Sequence, residues 1–171
     1  MLIKKTRTAE IYIIDNTIIK NFISTLDKNE RHRLGPKYCV CGEPVEVLLK
    51  NEITILKKLE KYNNFPKIIS INQKEYNYTM TYCGKNLADL KKKKKLKIPK
   101  NYKEQIDNIS NALTEINIYN NDIALSNICI NNDIIYLIDF GCCQPLDIKI
   151  KENFDGRNNL IDLNNLFSKL I

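Results

Sequence analysis

No stretch of the 171-residue chain is apolar over the ~18 residues that a membrane-spanning helix requires. The first ten residues, MLIKKTRTAE, lack the apolar core of a secretion signal. No membrane partner is therefore expected. The six cysteines, at 39, 41, 83, 129, 142 and 143, do not form a disulfide framework for a chain of this size. They point to a reducing, intracellular setting, cytoplasmic or nuclear. Histidine occurs once, as His32 near Cys39 and Cys41. The two cysteines are not spaced as CxxC and no second pair exists, so ordinary thiols are favoured over a zinc site. Tryptophan is absent, which excludes nothing.

What is present is ordinary for a globular chain: 43% hydrophobic and 27% charged residues. The length suits one domain, or two small lobes sharing a cleft. The net charge of +7 is unevenly spread. Residues 1–100 hold 22 Lys and Arg against 10 Asp and Glu, whereas residues 101–171 hold 5 against 10. A basic half suggests an anionic partner and leaves RNA open, although a solvated lysine surface explains it equally well. The run Lys91–Lys95 has no interleaved aromatics for base stacking and reads as an exposed linker edge.

Ile11–Ile14 and Thr17–Phe22 are β-rich runs about an Asp15-Asn16 turn, with Lys20 in the second. Residues 24–44 read as loop. Val47–Tyr62 has a helical apolar stripe through Leu49, Ile53 and Leu56, and Glu52 falls on it. A glutamate on a buried face needs a cation, and Lys20 is a candidate. Strands follow over Lys67–Ile71 and Tyr76–Tyr82, then a break at Cys83-Gly84. A second amphipathic helix spans Tyr102–Asn117. Strands Ile128–Ile130 and Ile134–Ile138 flank an Asn-Asp turn. The last helix runs from about Asn159 to Leu170. No internal repeat is present.

The hairpin about residues 132–133 brings Asn127 and Asp139 side by side, with Asp122 just upstream. Hard oxygen ligands without His or Cys favour Mg²⁺, which keeps waters and shares substrate phosphates. Taken alone, Asp122-x-x-x-x-Asn127 is weak evidence and suits surface polar residues as well.

The ordered set is far more specific. A strand lysine, a helix glutamate, a two-strand run ending in a break, Asp122-x-x-x-x-Asn127 and Asp139-Phe140-Gly141 together resemble the protein kinase-like superfamily. The resemblance runs from Ala9 to Leu170. It implies an α+β, minimal two-lobed protein-kinase-like fold, one domain overall with a nucleotide cleft between its lobes. Residues 1–83 would form a β-rich N-lobe and residues 84–171 a reduced, mainly helical C-lobe. It further implies ATP and Mg²⁺ as cofactors. Asp122 would be the catalytic base, and Asn127 and Asp139 the metal ligands. Lys20 would meet the phosphates with Glu52 as its partner, and Glu46 is the reserve. Met80, Tyr82 and Cys83 would be the gatekeeper and hinge that bind adenine.

Within the superfamily the chain looks most like the small atypical serine/threonine kinases of the KEOPS complex, with the Rio kinases next. Thr8-Ala9-Glu10-Ile11-Tyr12, Asp122-Ile123-Ala124-Leu125-Ser126-Asn127 and Leu160-Ile161-Asp162-Leu163 carry this likeness. It implies phosphotransfer to a protein acceptor, or ATP hydrolysis that depends on a partner subunit. Three departures favour a pseudokinase scaffold instead: no glycine in the first ten residues, Asn120-Asn121 in place of His-Arg, and Ala124 where a lysine or threonine often stands. A small-molecule phosphotransferase of the aminoglycoside or choline kinase type shares the acids but needs a larger helical lobe.

Overall fold

Asp15 and Asn16, at φ of 45° and 62°, fold β2 (Ala9–Ile14) back on β3 (Thr17–Phe22). Two successive left-handed residues make a turn whose twist matches the strands, and short polar side chains tolerate that backbone. Asn132 and Asp133, at 49° and 60°, do the same between β8 (Ile128–Asn131) and β9 (Ile134–Leu137). The computed structural model describes residues 2–6, 9–23, 44–141, 143–146 and 158–171. The loop expected before residue 44, and the grouping of His32, Cys39 and Cys41, lie outside those residues but for its last position. Internal contacts divide the chain into two units. The first takes the described parts of 1–60, 66–82 and 140–142; the second takes those of 61–65, 83–139 and 143–171.

Among the described residues, the first unit has a five-stranded antiparallel sheet and one helix. Besides β2 and β3 it contains β1 (Leu2–Lys5), β4 (Ile68–Asn72) and β5 (Asn77–Thr81), in the order β1-β2-β3-β5-β4. Helix α1 (Val45–Lys58) buries Leu48, Leu49, Glu52, Ile53 and Leu56. Its first turn carries Glu46 and its last Lys57 and Lys58, each sign at the favourable end of the helix dipole. Alternation along β3 turns Ile18, Lys20 and Phe22 inward.

Among the described residues, the second unit combines three helices with two small sheets. β6 (Lys85–Asn86) pairs with β8, and β8 with β9; β7 (Ile118–Asn120) pairs with β10 (Cys143–Pro145). Gly84, at φ 89°, lies so close to Ile130 that a Cβ there would sit 2.1 Å from its carbonyl oxygen, so only glycine fits. Helix α2 (Leu87–Lys92) begins at Asn86, whose side chain accepts from the Asp89 N–H at 2.8 Å. Helices α3 (Tyr102–Glu115) and α4 (Asn159–Ser168) pack through Tyr102 stacked on Phe167. Fully buried Ile106, Ile109, Leu113, Ile128, Ile135 and Phe167 make the core.

The lysine run is not a linker edge. Lys91 and Lys92 close α2, and Lys94 takes φ 53°. The Lys94 N–H then reaches the Lys91 carbonyl and the Lys95 N–H the Leu90 carbonyl, which satisfies carbonyls at the helix end. All five lysines are exposed. Strands β1, β6, β7 and β10 and helix α2 were not anticipated; each is short.

Candidate functional site

In the first unit, the inward side of β3 places Lys20 against the buried stripe of α1. The Lys20 Nζ donates to both oxygens of Glu52, at 2.8 and 2.7 Å. Lys20 is 5% and Glu52 2% exposed, so the pair is held almost without water. Desolvating two charges is costly, and a bidentate contact offsets much of that cost. Lys20 also lies 5.2 Å from the centre of the Phe22 ring. The backbone N–H of Phe140 donates to Glu52 Oε1 at 3.4 Å, and the Phe140 ring is buried. Glu52 thus joins a strand lysine to the residue after Asp139. Glu46 takes no part: it is exposed, and its own backbone N–H, then the Tyr76 hydroxyl, holds its carboxyl below the ordinary range.

In the second unit, the segment from 120 to 127 is held by amides. The Asn127 Nδ2 donates to the Asp122 carboxylate at 2.7 Å and to its carbonyl at 3.0 Å. Its own N–H reaches the Ala124 carbonyl, and its carbonyl accepts from the Ile138 N–H. The Asn127 side-chain oxygen is therefore turned from Asp122 and accepts from Ser126 Oγ at 3.4 Å. Asn120 is fully buried. Its Oδ1 accepts from the Asp122 N–H at 2.9 Å and its Nδ2 donates to the Asp139 carbonyl at 3.4 Å. Asn120, read from sequence as a loss of the usual histidine, thus ties Asp122 to Asp139. Asp139 itself has a left-handed backbone, φ 66°, which is strained for an aspartate outside a turn.

Asn159 was missed. It starts α4 and is buried; its Oδ1 accepts from the Asn120 N–H at 3.0 Å and its Nδ2 donates to the Ile118 carbonyl at 2.9 Å. The signal was available. Asn159 stands four residues before Leu163 and eight before Phe167, a polar residue on a buried stripe just as Glu52 is.

Met80 is central in β5, opposite Ile18 and Ile68, and buried. Tyr82 is half-buried and ends the 66–82 stretch of the first unit; Cys83 is buried and opens the 83–139 stretch of the second. Burial, then the nearby Cys83, raises the Tyr136 hydroxyl above its ordinary range. Among the described residues no three His, Cys, Asp or Glu side chains cluster as a ready metal cage. The oxygens of Asn127 and Asp139 are the hard donors that suit a cation completed by water and phosphate.

Comparison with known proteins agrees with this geometry. No curated protein matches the chain. Among solved structures, WbdD in complex with the kinase inhibitor LY294002 superposes with a TM-score of 0.63 over 98% of this chain, at 16% identity. Monomeric WbdD gives 0.63 over 95%, at 15% identity. The bifunctional kinase-methyltransferase WbdD gives 0.57 over 81%, at 17% identity. At such identity the likeness shows the fold: protein-kinase-like, α+β. The chain spans 36% of the length of WbdD in the inhibitor complex. The matching family is the one ranked second from sequence, and nothing in these matches singles out the KEOPS kinases. The RIO domain model matches residues 5–155, most of the chain, so the chain belongs to the RIO domain family of atypical kinase-like proteins.

Proposed function

We propose that the chain is an ATP- and Mg²⁺-dependent phosphotransferase, an atypical serine/threonine kinase or a partner-dependent ATPase. The observation that carries this reading is the buried Lys20–Glu52 pair, with the Phe140 N–H on the same glutamate. A buried ion pair is a weak source of stability, so its retention favours a role for the lysine charge. In this reading Glu52 fixes Lys20 toward the α- and β-phosphates. Asn127 and Asp139 hold the metal, which when bound neutralises phosphate charge. Asp122 orients the acceptor hydroxyl and takes its proton. The Asn127 amide keeps the Asp122 carboxylate in one orientation, and Asn120 fixes the spacing from Asp122 to the backbone of Asp139. Met80, Tyr82 and Cys83 border the adenine, with backbone groups of that same stretch as its partners. Catalysis is then mainly positioning and electrostatics.

The two units function as one kinase-like domain in this proposal. The acceptor is a protein hydroxyl, the chain itself, or water. The likeness of Thr8–Tyr12 and of the Asp122–Asn127 loop to KEOPS-complex kinases supports dependence on a partner subunit. Six scattered cysteines in a chain of this size are in keeping with a reducing, intracellular setting. No described helix is long and apolar enough to cross a membrane.

A scaffold without turnover is the second reading, favoured by Ala124 in the loop. Where a glycine-rich loop is usual, Thr6 bonds the N–H and carbonyl of Ala9. The test is transfer and release of labelled phosphate from Mg-ATP by the parent, Asp122→Asn and Asp139→Asn. A loss of about a hundredfold or more in each variant is expected. Parent-like turnover by Asp139→Asn would overturn the site. A parent that binds ATP without turnover would establish the scaffold.

A further inference from the structure

A groove of about 530 Å³ lies in the second unit, apart from the Asp122 carboxylate. It takes Asn121, Ile123 and Leu125 from the loop and leaves out Asp122 and Asn127 between and beyond them. Helix α4 buries Asn159, Leu163 and Phe167 on one side. Its neighbouring side presents Asp162 and Leu166 to the groove, followed by Leu170 beyond the helix end. Four half-buried aliphatic side chains, Ile123, Leu125, Leu166 and Leu170, thus share the groove with the polar Asn121 and Asn165.

Charge decides what fits. Lys91 from the end of α2 and Lys169 from the end of α4 both line the groove. Both are exposed, and among the described residues neither pairs with an acid. Lys92–Lys95 extend the positive surface from Lys91. The one acid in the lining, Asp162, is engaged by the Tyr119 hydroxyl at 2.6 Å. Two cations and four aliphatic side chains thus line one groove. The one aromatic ring in the lining belongs to Tyr119, which is itself buried. Single-stranded nucleic acid is held by stacking on exposed rings as well as by cations, and this lining offers no exposed ring. An acidic peptide with leucine-like side chains matches both features.

We propose that this groove docks a protein segment in which carboxylates alternate with aliphatic side chains, the carboxylates on Lys91 and Lys169 and the aliphatic groups on Leu166 and Ile123. The occupant would rest on alternate residues of the loop that carries Asp122 and so hold that loop from its other side. The binding needs neither nucleotide nor turnover; only its effect on turnover rests on the function proposed above.

The test is fluorescence anisotropy with the full chain and a short fluorescein-labelled peptide of glutamate and leucine only, without ATP. The controls are poly-glutamate and single-stranded RNA of equal charge. Saturable binding of the Glu/Leu peptide is expected, about tenfold or more tighter than of poly-glutamate. Lys91→Glu and Lys169→Glu should each weaken it about two- to fivefold. Leu166→Asn should weaken it about tenfold. Circular dichroism confirms that the variants fold, and Asp122→Asn should bind as the parent does even if it is catalytically dead. No saturable peptide binding would overturn the proposal. So would poly-glutamate or RNA binding as tightly as the peptide while ignoring Leu166→Asn, which would mark a mere polyanion surface. Self-association of the chain that excludes the peptide and is lost in Lys91→Glu would also overturn it, in favour of a second copy as occupant.

Discussion

The two polar centres of this chain are built on opposite principles. In the first unit, two full charges are buried against each other and owe their position to the sheet and helix around them. In the second, neutral amides carry the load: Asn120, Asn127 and Asn159 bind backbone groups and one carboxylate within a short loop and one helix end. A charge pair in a dry site is intolerant of losing either member, because the survivor has no water. An amide network loses its bonds one at a time, and each lost bond leaves a smaller debt of desolvation. The first centre should therefore fail abruptly and the second gradually.

The largest effect expected is from Lys20→Met. It leaves Glu52 buried without its cation and should destabilise the chain by about 3–5 kcal/mol in urea unfolding. Adding Glu52→Leu should restore most of that loss, because an apolar pair of similar volume tolerates burial. The double variant should remain without phosphotransfer. If the single variant were as stable as the parent, the pair would not be dry in solution and the contrast between the centres would collapse.

Asn159→Ala comes next. It removes the acceptor of the Asn120 N–H and the donor to the Ile118 carbonyl. A loss of about 1–3 kcal/mol is expected, below that of Lys20→Met. The change lies behind the loop, so kcat should fall more than the KM for ATP rises. Equal losses in the two centres would show that burial, rather than charge, sets the cost.

The difference between the centres also explains what the sequence revealed. Glu52 was conspicuous, since a charge on an apolar helical stripe is rare and calls for a partner. The left-handed Asn and Asp pairs made both hairpins legible. Asparagine is so common in this chain that Asn120 and Asn159 did not stand out, although Asn159 obeys the same stripe logic. Short strands such as β6 and β7 offer too few residues for a period of two to register. They are held by partners distant in sequence, β6 by β8 and β7 by β10. The left-handed backbone of Asp139 is likewise a product of tertiary packing and has no local signature.

The smallest effect comes from the charged contact that is fully in water. Glu115 at the end of α3 accepts from both the Lys61 ammonium and the Tyr62 hydroxyl, tying residues 61–65 to that helix. Lys61 first, then Tyr62, holds the Glu115 carboxyl below its ordinary range. A group whose folded value is depressed adds stability above its unfolded value and loses it as pH falls through the folded one. Glu115 in turn raises Lys61 and Tyr62. Their contribution is present below their unfolded values and fades as pH rises through the folded ones. The advantage of the parent over Glu115→Gln should thus be flat between about pH 5 and 9 and vanish in acid. It should also disappear in about 1 M salt, where the Debye length is roughly 3 Å. The deficit of Lys20→Met should survive the same salt, because ions do not enter a site only 2–5% exposed. Salt therefore separates the exposed pair from the buried one, where pH alone does not.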